Sequence, residues 1–431
     1  MGLHSVSNTD CHVVIVGAGH AGVNAASLLR QNGHAGKITL VGNETGLPVQ
    51  RPPLSKAYLK GQTALDTILI KPASFFDTQK IDLRTSTRVT ALNPENHSVA
   101  LGEELLTYDA LVLATGVSPR PLPGFRSSPS SNVFQLRTAD DSEKLKRVIG
   151  AGRHIVIVGG GYIGLEVAAS ARALDAQVTL IERETRLLAR VASNQLSSHL
   201  RGVHGRQGVR VLTGAHMERI DTGPTGDARG ILLSDGEYIA CDAVLVGIGA
   251  VPNDALARSA GIVCNDQGIV VDSNARTSAP NIYAIGDVTC RPVPLFNDQQ
   301  IRLESIQSAT EQARQMVHSV LDKPPPEPEV PWFWSDQYDL KLQIAGLVAG
   351  TDTTIVRGDP CNDRVAFFHL RDSRVIAVEA VNSAPEFMAA KQMIKADCIV
   401  APASLADSSR SLKDILSASL PTNDDHRIQG S

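Results

Sequence analysis

Two glycine-rich turns carry the first chemistry in this chain. Val13-Val14-Ile15-Val16 runs into Gly17-Ala18-Gly19-His20-Ala21-Gly22, and Ile155-Val156-Ile157-Val158 runs into Gly159-Gly160-Gly161-Tyr162-Ile163-Gly164. Each is an apolar β-branched run that breaks at G-x-G-x-x-G and then becomes helix-like. At such a turn the first glycine makes the bend and the second lets backbone approach a pyrophosphate. The third lets helix pack on strand, with the helix N-terminus facing the phosphates. One such motif is weak evidence. Two imply two dinucleotides held by one protein, so that electrons can pass between them.

The residues after each turn distinguish the two sites. The strand after the second turn runs into Glu182, an acid that can accept hydrogen bonds from an adenosine ribose and repel a 2′-phosphate. That favours NADH over NADPH, although Arg183 beside it could tolerate a phosphate. After the first turn, Asn43 and Glu44 fall later than the Glu182 equivalent, so this ribose contact comes from a longer turn. Gly286-Asp287 ends a short apolar strand; such an aspartate can reach a ribityl hydroxyl, or equally cap a helix or close an Asx turn. A helix after it would aim its N-terminus at a flavin pyrimidine, where the dipole favours a reduced, anionic ring. The order of first turn, Ala114-Thr115-Gly116 and Gly286-Asp287 makes FAD the first ligand. Both tryptophans, Trp332 and Trp334, fall in Pro331 to Tyr338. They read either as aromatics of a core or interface strand or as a ring lining the flavin.

These residues need a scaffold, and the sequence repeats one. Ile38-Thr39-Leu40-Val41 comes after the first turn as Val178-Thr179-Leu180-Ile181 comes after the second. Tyr108 to Gly116 likewise matches Cys241 to Gly249. Three matched apolar strands in order imply two βαβ-type units with buried parallel sheets. Gly116 to Ser131 reads as a crossover, and residues 303–321 as a helix with Ile306, Ala309, Ala313, Val317 and Val320 on one face. Lys323 to Pro331 is a stiff proline-rich connector and the clearest boundary. Beyond it, Val365–Leu370 and Val375–Val381 read as a hairpin around Arg371 to Arg374, and Ser383-Ala384-Pro385-Glu386 as a helix start. The expected division is a FAD domain from 1–118 and 247–325, an NAD domain from 119–246, a C-terminal α+β domain from 326–406 and a polar tail from 407–431. The fold class is α/β, with two Rossmann-like domains.

Composition narrows the function. The 431 residues suggest about three domains. A formal charge of −4 speaks against generic nucleic-acid binding, and no apolar stretch approaches a membrane span. Met1 to Asp10 lacks the features of a secretory signal, so the cytoplasm is expected. The six cysteines show no C-x-x-C and no close pair, and read as reduced, mostly buried side chains. His199 and His204 sit in a polar stretch and read as solvated; no metal site is expected.

Arg51-Pro52-Pro53-Leu54-Ser55-Lys56-Ala57-Tyr58-Leu59, the strand end Leu113 to Gly116, and Gly159 to Glu166 resemble the FAD-dependent ferredoxin reductases of multicomponent oxygenases. So do Ala284 to Val288, Arg302 to Ser305, and Trp332 to Tyr338. The likeness spans roughly residues 11–405 and implies a glutathione-reductase-like fold. It implies FAD contacts from Gly17, Gly19, Ala21, Gly22, Asn43 or Glu44, Lys56, Val89, Ala114, Thr115, Gly116, Arg137, Gly286, Asp287 and Ile306. Arg51 and Pro52 would sit at the flavin, with Trp334 at the ring edge. NADH would meet Gly159, Gly161, Ile163, Gly164, Glu166, Glu182, Arg183, Arg190 and Gly249. Lys56 and Glu166 would form the catalytic ion pair beside flavin N5, where hydride arrives.

Residues 45–60 hold no cysteine, so electrons are expected to leave from the flavin without a sulfur relay. The expectation is an NADH-dependent reductase for a small [2Fe–2S] ferredoxin serving a Rieske dioxygenase or a cytochrome P450. Arg302, Arg314, Lys341, Lys391 and Lys395 are the candidate docking cations. The alternatives are an NADH oxidase or rubredoxin reductase of the same fold, or a redox-sensing interaction protein similar to the apoptosis-inducing flavoproteins.

Overall fold

The computed structural model describes residues 9–123 and 132–419. Part of the expected crossover, the first eight residues and the end of the tail lie outside the described residues. Two compact units form. One gathers Met1–Arg51, Thr63–Ser118 and Ala250–Glu329; the other gathers Pro52–Gln62, Pro119–Gly249 and Val330–Ser431.

The first unit is built on a five-stranded parallel sheet in the order Ile282–Ala284, Ala110–Leu113, Val13–Val16, Ile38–Val41, Ile81–Arg84. Apart from the edge strand Ile81–Arg84, which alternates apolar and charged residues, the strands are largely apolar runs because both sheet faces are covered. The helix His20–Gln31 packs against the helix Ile306–Val320. Val13, Ile15, Leu29, Ile38 and Leu40 are wholly buried here, each contributing about 1.5–3 kcal/mol.

The second unit repeats this sheet. Its order is Val209–Thr213, Gln177–Glu182, His154–Val158, Ala243–Val246, Val133–Phe134, all parallel. Val13 lies abreast of Ile38 and Ala110, and its counterpart Ile155 lies abreast of Val178 and Ala243. The correspondence reaches the polar edges. His12 Nε2 meets Thr39 Oγ1 at 3.0 Å, as His154 Nε2 meets Thr179 Oγ1 at 2.9 Å. Asp109 accepts from the His12 amide as Asp242 accepts from that of His154.

Val330–Ser431 adds a five-stranded antiparallel sheet to the second unit. Its order is Trp332–Gln337, Leu340–Gly346, Arg374–Val381, Arg364–Arg371, Thr353–Asp359. The expected hairpin is present; its tip turns at Asp372 and Ser373, with φ of 51° and 62°. The helix Ala384–Lys395 begins where Ser383 and Pro385 suggested. The region expected as a polar tail carries a helix, Leu412–Ser419.

Candidate active site

The two glycine turns are stereochemical copies. Gly17 and Gly159 hold φ of +116° and +114°, and a Cβ there would lie 2.1 Å from Ala114 O and 2.3 Å from Gly247 O. The bend and the neighbouring strand therefore dictate both residues. Gly22 and Gly164 are dictated by packing: a Cβ would meet Gly17 O at 1.9 Å and Gly159 O at 2.2 Å. Gly19 and Gly161 differ. Both have φ of −81°, open to any residue, and a Cβ on either would meet nothing within 4 Å. Nothing in the fold demands glycine there, and the bare backbone leaves room for a ligand to approach it closely. Both residues cap their helices without a side-chain hydrogen bond, which leaves first-turn N–H groups for phosphate oxygens.

In the first unit a cleft is lined by Ala18, Gly42, Asn43, Glu44, Arg51 and Thr85. The Arg51 guanidinium grips both Glu44 carboxylate oxygens, with Nη1 2.9 Å from Oε2. Thr115 and Asn253 exchange two hydrogen bonds, Oγ1 to O at 2.8 Å and Nδ2 to O at 2.9 Å, which hold Ala114-Thr115-Gly116 in place. Val89 packs on the apolar cluster behind the sheet. Gly286–Val288 forms a single 3₁₀ turn, and a Cβ at Gly286 would fall 2.9 Å from that of Ala21. A hairpin, Thr289–Val293 with Gln299–Ile301, separates this turn from the helix that starts at Ile306. That helix nevertheless reaches back: Gln312 Oε1 accepts from the Gly286 amide at 3.2 Å and from Thr289 Oγ1 at 2.7 Å.

In the second unit Glu182 stands at its strand end and braces the turn. Oε2 accepts from the Gly160 amide at 2.7 Å and Oε1 from the Glu184 amide at 2.8 Å. Arg183 is largely exposed and pairs with Glu184 at 3.2 Å. Arg190 brings its guanidinium to Gly249, where a Cβ would come within 3.2 Å of Nη2. Ile163 is exposed at the helix start. Tyr162 is sealed beside Phe333, ring centroids 4.8 Å apart, and burial pushes its phenol well above the usual value.

The same unit assembles Lys56 and Glu166. Pro52–Ser55 is a 3₁₀ turn pinned by two helices: Ser142 Oγ donates to Leu54 O at 2.8 Å, and Ser170 Oγ to Ser55 O at 2.7 Å. Lys56 Nζ reaches Glu166 Oε2 at 2.6 Å and Pro52 O at 3.2 Å. Glu166, on the helix Tyr162–Ala173, also accepts from Ser55 Oγ at 2.5 Å and Ser335 Oγ at 2.7 Å. Sequence reasoning missed both serines. The usable signal for Ser335 was strand alternation, which turns Phe333, Ser335 and Gln337 to one face and Trp332, Trp334 to the other. Trp332 and Trp334 lie 5.8 Å apart, and Lys391 Nζ sits 5.2 Å above the Trp332 ring. The Arg137 amide donates to Asp141 at the capped start of the helix Ala139–Lys146.

Two expectations are corrected. His199 and His204 are not solvated: His204 is fully buried and the His199 side chain is 6% exposed. They lie on the helix Asn194–Arg206, where Leu196, Leu200, Val203 and His204 share the inward face. Among the described residues no group of His, Cys, Asp and Glu could hold a metal ion. All six cysteines are free as expected, but they are not mostly buried: only Cys290 and Cys398 are, Cys11, Cys241 and Cys264 are half-buried and Cys361 is exposed.

Residues 11–313 match the pyridine nucleotide-disulphide oxidoreductase family, and residues 332–416 match the reductase C-terminal domain. A probable ferredoxin reductase from Castellaniella defragrans is 46% identical over 93% of this chain and 97% of its own length. Putidaredoxin reductase from Pseudomonas putida is 40% identical over 95% and 98%. The solved covalent putidaredoxin reductase–putidaredoxin complex superposes with a TM-score of 0.91 at 39% identity, covering 95% of this chain and 99% of that one. With two matching nucleotide turns and this C-terminal domain, the chain belongs to the pyridine nucleotide-disulphide oxidoreductase family, among its ferredoxin reductases.

Proposed function

We propose that this protein is an NADH-dependent, FAD-containing reductase that supplies electrons to a small [2Fe–2S] ferredoxin of a Rieske dioxygenase or cytochrome P450 system. The observation that carries the reading is the pair Gly19 and Gly161, each without a packing reason to be glycine and each capping a helix that no side chain caps. These features fit two pyrophosphates.

When bound, FAD accepts a hydride and releases electrons singly, which suits an iron–sulfur acceptor. The first turn, Asn43, Glu44, Arg51, Val89, Ala114 to Gly116, Gly286, Asp287 and Ile306 are assigned to FAD, and so are Pro52, Lys56, Arg137 and Trp334. The second turn, Glu182, Arg183, Arg190 and Gly249 are assigned to NADH. Lys56 and Glu166 are assigned to the hydride step: the cation offsets developing negative charge, and the carboxylate lowers the cost of keeping that cation buried. No thiol takes part, since residues 45–60 contain no cysteine. The supply of NADH puts this work in the cytoplasm.

Anaerobic titration of the purified protein with NADH tests the reading. A flavin spectrum that bleaches, and electrons that pass faster to a [2Fe–2S] ferredoxin than to rubredoxin or oxygen, are expected. A colourless protein that FAD cannot reconstitute overturns it.

A further inference from the structure

Behind the Lys56–Glu166 pair runs a file of buried polar side chains that a nucleotide-binding fold does not require. Ser335 and His204 are wholly buried and Gln337 is 2% exposed. Counting out from Glu166, the sense of the first three hydrogen bonds is forced, and a neutral imidazole sets the fourth. A carboxylate only accepts, so Ser335 Oγ donates to Glu166 Oε1 at 2.7 Å. The Ser335 oxygen then accepts from Gln337 Nε2 at 3.1 Å. This turns Gln337 Oε1 toward His204 Nε2, 2.9 Å away, so the imidazole must carry its proton on Nε2. Nδ1 is left as a lone pair, and Tyr338 O–H donates to it from 3.1 Å. Burial favours this neutral ring by lowering the His204 pKa, and it raises that of the Tyr338 phenol, keeping both in the required states.

All four bonds point toward Glu166, and hydrogen bonds in such a one-way chain polarise one another. They also tie the helix Asn194–Arg206 and the strand Trp332–Gln337 to a single carboxylate on the helix Tyr162–Ala173. Stability alone is a weak reason for the file, because well-packed apolar replacements of buried polar groups are often neutral or stabilising.

We propose that His204, locked as the Nε2–H tautomer, acts with Gln337 and Ser335 as a set of positioning residues that hold the Glu166 carboxylate against Lys56. The inference rests on the assignment of Lys56 and Glu166 to the hydride step. None of the three touches the reacting atoms; they act through Glu166.

The test compares FAD-loaded wild type with Q337L, H204F, H204Q and K56M by anaerobic stopped flow with NADH. Q337L and H204F should slow the limiting rate of flavin reduction about tenfold while the NADH dissociation constant holds. H204Q, which keeps a donor near the Nε2 position, should recover most of the rate. A slow K56M with wild-type rates in Q337L and H204F overturns the relay alone; a wild-type rate in K56M removes the assignment beneath it. Long-range ¹H–¹⁵N correlation of ¹⁵N-histidine-labelled protein reads the tautomer without turnover. A neutral Nε2–H ring supports the proposal, and an Nδ1–H or protonated His204 at pH 7 overturns it even where a variant fails to fold.

Discussion

Lys56 Nζ lies 2.6 Å from Glu166 Oε2, and the pair is nearly dry, with the side chains 17% and 4% exposed. Residues far apart in sequence meet because Ser142 and Ser170 clamp the turn that carries Lys56 onto the nucleotide-binding half. Lys56→Met leaves a buried carboxylate without its cation. We expect a loss of about 3 kcal/mol in stability, read by urea melts, together with slower hydride transfer in stopped flow. Traces and melts identical to wild type would remove the assigned role.

Gly161→Ala and Gly19→Ala separate ligand binding from folding. A Cβ at either position meets no protein atom within 4 Å, so melting of the unliganded protein should stay within about 1 kcal/mol of wild type. NADH affinity should fall at least about tenfold in Gly161→Ala, and FAD retention should fall in Gly19→Ala. Equilibrium dialysis and flavin content measure both. Unchanged binding would mean that no pyrophosphate lies on these turns.

Glu182→Ala should raise NADPH use relative to NADH by about tenfold, or ~1.4 kcal/mol of discrimination. The same change frees the Gly160 and Glu184 amides that Glu182 braces, so both coenzymes should also bind more weakly. Steady-state kinetics with the two coenzymes decide this; a fixed ratio would count against Glu182 as the ribose ligand.

The candidate docking cations start from different settings. Arg302 and Arg314 are paired with Glu304 and Glu329, and Lys391 lies over the rings of Trp332 and Phe387. Reversing charge at the true patch should slow ferredoxin reduction and flatten its salt dependence while ferricyanide reduction is unchanged. Five silent reversals, including Lys341 and Lys395, would place docking elsewhere.

Stability should depend on pH through His204. In the unfolded chain a histidine titrates near about 6.5, and burial lowers the folded value, with the Gln337 hydrogen bond opposing. Between these two values the unfolded chain binds more protons, so stability rises with pH there and is lost as pH falls through that window. Burial acts in the same sense on His199. Urea midpoints between pH 5 and 7 should fall toward acid, with a shallower slope in H204F; equal slopes would contradict the assignment.

Local pattern was enough for the nucleotide-binding halves. Runs such as Val13 to Val16 and Ile155 to Val158 end in glycines whose roles are steric and strictly local, so neighbours in the chain dictate strand, turn and helix. The matched strands appear in matched register for the same reason. The hairpin at Arg371 to Arg374 and the helix start at Ser383 also depend on short-range turn and cap chemistry.

Partnerships across the chain were not legible in this way. Ser55, Ser335, Gln337 and His204 are ordinary polar residues in sequence, and His204 even sits in a stretch that reads as solvated. Their burial depends on which helix face meets which strand face, and period and composition do not encode that pairing. Glu44 and Arg51 show the same limit: each could be named as a site residue, but their grip on one another exists only once the chain folds. Local sterics wrote the turns, whereas long-range packing chose the partners of Glu166 and His204.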